Sequence, residues 1–175
     1  MGHQTQFETN RLLIRSVHTD DAAFILELMN TPKWLEYIGD RQINTLDQAS
    51  HYIAEKAYPQ LKKHGYTNNV IIRKEDGAKL GTCGLYHREG KSNPDIGFAF
   101  LPEFEGFGYA FEASKALMNL AKTDYGLKEL SGYTLEYNLS SRKLLEKLGF
   151  NLIGVGFLPN SNDELLHYTC KFEIK

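Results

Sequence analysis

The sequence predicts an α/β (α+β) domain on a mixed, mainly antiparallel twisted sheet of about seven strands flanked by helices. Strand-like runs and helical patterns interleave in the order β α α β β β α β α β β. Three consecutive strand-like runs occupy the middle of the chain, and a strand-helix-strand unit follows them. That combination needs antiparallel and parallel pairing in one sheet, with helices on both faces.

The elements follow from local patterns. Arg11 to Val17, RLLIRSV, has the composition of a strand, and Thr19 or Asp20 is expected to cap the helix after it. In that helix Ala22, Ala23, Ile25, Leu26 and Met29 share one side, and Asn30-Thr31-Pro32 is expected to stop it. Thr45, with Gln48 three residues on, is a capping-box start for a second helix that runs to about Lys63. Asn69 to Arg73 and the run LGTCGLYHR flank Asp76-Gly77 as a hairpin. In DIGFAFL, Ile96, Phe98 and Phe100 alternate with Asp95, Gly97 and Ala99 on the third strand of the meander. A helix from Tyr109 to about Thr123 carries the stripe Ala110, Ala113, Leu117, Leu120, Ala121. A strand at Glu129 to Tyr137, a short helix closed by Gly149 and two final strands complete the order.

Bulk composition narrows the function classes. The 175 residues include 20 Lys and Arg against 22 Asp and Glu, scattered along the chain. A net charge of −2 without a basic patch disfavours nucleic acid and anionic membrane surfaces as partners. The chain lacks an apolar run long enough for a membrane span, and Gln6 stands where a myristoylation signal needs Ser or Thr. Cys83 and Cys170 fit no metal or redox spacing and read as reduced core residues of a cytoplasmic protein. His3, His18, His51, His64 and His167 show no ligand spacing, so no structural metal is expected. Residues 1–6 read as a tail, and 7–175 as a single domain.

The stretch FEGFGYAFEA, residues 104–113, places two glycines between a strand and a helix. The first amides of a helix have no intrahelical partner, and its dipole favours negative charge, so this junction suits a phosphate. Phe111 stands where a dinucleotide fingerprint needs its third glycine, and Tyr109-Ala110 replace the Lys-Ser/Thr of a P-loop. A plain tight turn is the other reading of Gly106 and Gly108.

Three motifs in order resemble the GNAT superfamily of acetyl-CoA-dependent N-acetyltransferases, in particular the ribosomal-protein N-terminal acetyltransferase subgroup. They are the opening TNRLLIR, the IGF strand leading to PEFEGFGYAFEA, and the helix with Asn138, Ser141 and LEKLGF at 145–150. The resemblance runs from about Thr9 to Phe172. It implies a sheet with a splayed strand pair forming the acetyl-CoA cleft. Gly106, Phe107, Gly108, Tyr109 and Ala110 would hold the pyrophosphate through backbone amides. Phe100 and Leu101 would bond the pantetheine arm through main chain, and Asn138 and Ser141 would face the pantetheine and thiol end. The first helix pair would shape the acceptor pocket.

The chain also departs from the family pattern. Glu105 replaces the usual Gln or Arg, a repulsive choice unless it turns from the anion, and Phe107 replaces a common Lys or Arg. Leu145 stands where several relatives carry a tyrosine that protonates the thiolate.

Acetyl transfer to an amine needs a neutral amine, alignment and a donor for the oxyanion, and an α-amino group titrates near 8. Asp95 is the candidate base or water-positioner, or else caps the turn before it. Tyr137 and Ser141 are candidate donors. A His87–Asp95 pair is weighed against an exposed strand-end histidine, and Trp34 against a purely packing role. Glu36, Asp40 and Asp95 would suit a polyamine. The expected function is direct transfer from acetyl-CoA, in a ternary complex, to a protein N-terminus or a small-molecule amine, by a monomer or homodimer. A non-catalytic acetyl-CoA-binding module and an interaction protein with a simple glycine turn are the alternatives.

Overall fold

The computed structural model describes residues 5–173. Eight strands form one sheet: β1 (Gln6–Glu8), β2 (Leu12–Ser16), β3 (Asn68–Arg73), β4 (Lys79–Tyr86), β5 (Asp95–Phe100), β6 (Glu129–Thr134), β7 (Asn151–Gly156) and β8 (Leu165–Lys171). Their order across the sheet is β1-β2-β3-β4-β5-β6-β8-β7. Every neighbouring pair is antiparallel except β5 and β6, which run parallel. The mixed sheet expected from the sequence is therefore present, with one strand more than anticipated. The extra strand is β1, where Gln6 pairs with Arg15, and the Thr5 carbonyl accepts from the Ser16 amide at 3.0 Å. Thr5 and Gln6, read as the end of a tail, are part of the sheet edge.

Five helices cover the sheet: α1 (Ala22–Met29), α2 (Pro32–Tyr37), α3 (Leu46–His64), α4 (Tyr109–Thr123) and α5 (Leu139–Lys147). The side-chain alternation of the strands divides them between two cores. Val70 on β3 joins Ile25, Leu28, Ala49 and Ile53 of α1 and α3. Its neighbour Ile71 joins Cys83, Leu85 and Ile96 of the sheet with Ala113, Leu117 and Ala121 of α4. Leu145 of α5 lies flat on β6, where a Cβ added to Gly132 would meet its methyl at 2.8 Å. Burial pushes the Cys83 thiol up to about 12, so at neutral pH it is an unreactive core side chain.

Local capping agrees with the sequence at α3: Thr45 accepts from the Gln48 amide and Gln48 reaches back to the Thr45 amide. At α1 and α2 it differs. His18, not Thr19 or Asp20, caps the short 3-10 turn Thr19–Asp21 that leads into α1. Asn30-Thr31-Pro32 ends α1 and also opens α2, because Thr31 accepts from the Trp34 amide and Pro32 occupies the first helical position.

Asp21 ties this corner to the sheet. Its carboxylate is buried, accepts from Arg15 at 2.8 and 2.9 Å and from Lys79 at 2.7 Å, and takes the His18 amide at 2.8 Å. Burial alone would raise its pKa, but the bonds from Arg15, Lys79 and the His18 amide outweigh that and hold it well below the carboxylate range. Truncation would strand Arg15 and Lys79. Asp21→Ala is therefore expected to cost about 3 kcal/mol and lower the melting temperature by about 6 to 12 °C. Because the folded-state pKa is depressed, this stability is present above the unfolded value near 4 and is lost as pH falls towards the folded one. Acid titration of unfolding should show wild type losing its advantage over Asp21→Ala below about pH 4.

Candidate active site

β5 and β6 pair at a single register position, Asp95 opposite Ser131, where the Ser131 amide donates to the Pro94 carbonyl at 3.0 Å. Beyond that point the parallel ladder stops, and the strands separate towards Phe100 and Thr134. β4 pairs with all of β5, and the Leu101 amide donates to the Leu80 carbonyl at 2.9 Å. Alternation along β5 therefore aims the main chain of Phe98 and Phe100 at the gap, and that of Leu101 at β4. Of the two residues expected to offer main chain to the cleft, Phe100 does so and Leu101 does not; Phe98 takes its place. On the other side the same alternation, counted from Ser131, aims the main chain of Tyr133 into the gap.

At the open end of β5 the chain makes the 3-10 turn Pro102–Phe104 and then the glycine loop. Gly106 and Gly108 have φ of 83° and 80°, the left-handed region that glycine enters without strain. Gly108 starts α4 without a side-chain cap, and the first amide of that turn to donate is Glu112, to the Gly108 carbonyl at 3.1 Å. Among the described residues, the amides from Gly106 to Phe111 have no acceptor in the protein. A row of unpartnered amides at a helix start is a cradle for an anion.

Charge around this loop is arranged to tolerate one. Glu105 forms an ion pair with Lys33 of α2, so the carboxylate that replaces the family's Gln or Arg is neutralised by a neighbour. Arg11 donates to the Phe107 carbonyl at 2.9 Å and pairs with Glu112 at 2.7 Å, with its guanidinium 4.4 Å from the Tyr109 ring centre. Phe107 itself is 59% exposed.

Where β5 and β6 meet, Asp95 is 3% exposed and both its oxygens accept from Arg88, at 2.7 and 3.1 Å. Burial pushes the carboxyl up and Arg88 pulls it back, leaving it above the ordinary aspartate range. Asp95 thus anchors the end of β4 to β5, and with both oxygens bound to Arg88 it is not the open base expected from the sequence. Nor does it pair with His87, whose ring stacks on His64 with centroids 4.1 Å apart. On the same face as Asp95, Ser131 Oγ lies 2.9 Å from His167 Nε2, and the His167 ring stacks on Tyr133 at 4.5 Å. Arg88, Ser131 and His167 carried no local signal, since their partners lie on other strands or across a loop.

α2 bridges the mouth of the cleft. Lys33 reaches the glycine loop, and Tyr37 meets Tyr137 with ring centroids 5.8 Å apart. Tyr137 is 58% exposed beside α5, not packed at the vertex. Trp34 packs against the α1 and α3 core, with a buried Nε1 that has no partner among the described residues. Asn138 caps α5, its side chain accepting from the Ser141 amide at 3.3 Å. Leu145 is 1% exposed in the core, so α5 presents no proton donor at that position. Among the described residues no cluster of three His, Cys, Asp or Glu could hold a metal ion, and no helix is long and apolar enough to cross a membrane.

Comparison with known proteins agrees with this geometry. Residues 11–151 match the acetyltransferase (GNAT) domain family. The chain is 27% identical over 149 residues to the uncharacterized N-acetyltransferase YoaA of Bacillus subtilis, covering 85% of this chain and 84% of that one. An acetyltransferase from Agrobacterium tumefaciens superposes with a TM-score of 0.81 at 23% identity, covering 96% of this chain and 95% of that one. The ribosomal L7/L12 α-N-protein acetyltransferase RimL, in complex with coenzyme A, superposes at 0.80 with 15% identity over 95% and 98%. At those identities the superpositions establish the fold, whereas the family match spans most of the chain. The protein belongs to the GNAT family and is an acetyltransferase.

Proposed function

We propose that the protein moves the acetyl group of acetyl-CoA directly to a primary amine held beside it, the acceptor being a protein N-terminus or a small-molecule amine. The observation that carries this reading is the row of unpartnered amides from Gly106 to Phe111 at the open end of the β5–β6 gap. Gly106, Phe107, Gly108, Tyr109 and Ala110 hold the cofactor's pyrophosphate. The main chain of Phe98 and Phe100 takes its pantetheine arm as a partial extra strand, and Asn138 and Ser141 line the thiol end. Acetyl-CoA supplies an activated acyl group as a thioester; the chain's own residues bind, align and move protons.

The acceptor enters from the α1–α2 side, where Trp34, Tyr37 and Tyr137 form the wall. Ser141 and Tyr137 are the hydroxyls near the thiol end, which suits them to protonate the departing sulfur in place of the absent tyrosine. The reading includes residues 7–175 acting as a single catalytic domain, a cytoplasmic setting, and a monomer or homodimer as the working form.

Thermal unfolding tests the cofactor site directly. Acetyl-CoA at 100 times its Kd is expected to stabilise the protein by about 2.7 kcal/mol, a rise of about 5 to 10 °C, with NADH and ATP as inactive controls. Gly108→Trp should abolish the shift, because a side chain at that position is strained and blocks the loop. No shift in wild type would overturn the assignment.

The Lys33–Glu105 pair gives a second test. Glu105→Gln should tighten acetyl-CoA binding by roughly 2- to 5-fold at low salt, and Lys33→Ala should weaken it by a similar factor. Combining the two should return the Kd close to wild type, and calorimetric titration of the three variants checks the cycle.

A further inference from the structure

We propose that Ser131 and His167 form a proton relay at the vertex of the cleft, with Ser131 Oγ facing the acceptor amine and His167 Nε2 receiving its proton. This rests on the acetyltransferase reading above and assigns the base that Asp95 cannot supply.

The placement is specific. Ser131 is the one residue of β6 that pairs with β5, so the gap between the strands begins at the next residue, and the Ser131 side chain, 4% exposed, stands on the sheet face at that vertex. Gly132 and Tyr168 face the α4 and α5 core, and alternation therefore turns Ser131, Tyr133 and His167 together towards the opposite face. Ser131 Oγ and His167 Nε2 are 2.9 Å apart, and Tyr133 holds the imidazole plane by stacking at 4.5 Å with an interplanar angle of 18°. The charged and titratable neighbours are Lys91 from the β4–β5 loop, Glu129 and Tyr133 from β6, and the Arg88–Asp95 pair next to Tyr133. β7 opposes His167 with Gly154 and its neighbours, which do not titrate. Burial and Lys91 lower the His167 pKa against a smaller opposing effect of Glu129, which keeps the ring neutral and able to accept at pH 7.

The protons balance as follows. An acceptor ammonium N–H bond breaks as Ser131 takes that proton, and the Ser131 hydroxyl proton passes to His167 Nε2. The neutral amine then forms the C–N bond while the C–S bond breaks. The hydroxyl of Ser141 or Tyr137 protonates the departing thiolate and is reprotonated by the second nitrogen proton, and imidazolium returns its proton to water. The products are amide, CoA thiol and one proton.

The test follows CoA release from acetyl-CoA with two small nucleophiles. Glycinamide is largely protonated at neutral pH, and hydroxylamine is already neutral there. His167→Gln and Ser131→Ala are expected to lower kcat/KM for glycinamide about 10-fold at pH 7, where about a tenth of the amine is already neutral, with the deficit closing to within about 2-fold near pH 9, where the ammonium loses its proton unaided. Hydroxylamine at pH 7 should stay within about 3-fold of wild type, since it needs no base. NMR titration of the His167 ring should give a midpoint below that of an ordinary histidine, and one that rises in Ser131→Ala, because the hydroxyl stabilises the neutral imidazole.

Retained stabilisation by acetyl-CoA certifies each variant as folded; if His167→Gln loses it, Ser131→Ala decides. Equal deficits for both nucleophiles at every pH, no deficit at all, or an unmoved midpoint would overturn the relay. Wild type that binds acetyl-CoA yet releases CoA to neither nucleophile would overturn the proposed function, and the relay with it.

Discussion

The rest of the site depends on one interruption in the sheet: β5 and β6 hold together at Asp95–Ser131 and then part. A parallel pair cannot be joined by a tight turn, so α4 makes the crossover, and its start lands at the open end of the gap. The anion cradle and the gap are therefore consequences of the same connection. The buried Asp95–Arg88 pair and the Pro94–Ser131 hydrogen bond close the vertex, and past it the main chains of Phe98, Phe100 and Tyr133 face an opening instead of each other. Free main-chain groups on an interior strand are costly unless they are hydrated or a ligand completes them. A break of this kind suits an extended ligand that completes the two strands.

Charge is handled locally. The family's usual residue at 105 would add polarity or positive charge beside the anion, and this chain carries a carboxylate there. Lys33 cancels it from α2, and Arg11 holds the Phe107 carbonyl so that the loop amides stay turned outward. Because Lys33 belongs to the helix whose other end meets Tyr137, occupancy of the glycine loop and the shape of the acceptor wall share one element. On the proposed assignment, this would couple cofactor and acceptor through short, partly exposed contacts, each of modest strength.

Legibility in the sequence followed the range of the interactions. The Thr45–Gln48 box, the Gly77 hairpin and the Gly106–Gly108 loop were readable because each is set by residues a few positions apart. β1 was missed because three residues in a polar segment become a strand only when β2 offers an edge. α2 was legible in part: Thr31-Pro32 stops one helix and starts another, and only the second half of that signal went unread. Asp95 lies where β5 and β6 meet, but it is tied up in a way the sequence did not reveal, since Arg88 turns back onto it across the β4–β5 loop.

By itself, then, the sequence determined the order of the longer elements, the Thr45–Gln48 cap and the place of the glycine loop, because these are settled within a turn of helix or a pair of strand residues. The tertiary structure decided which groups are free to act. Ser131 and His167 are separated by 36 positions and meet only because β6 and β8 pair in one register. A shift of one residue in β8 would turn His167 to the opposite face and part it from Ser131. The Ser131–His167 contact is a property of that register, which local pattern does not encode.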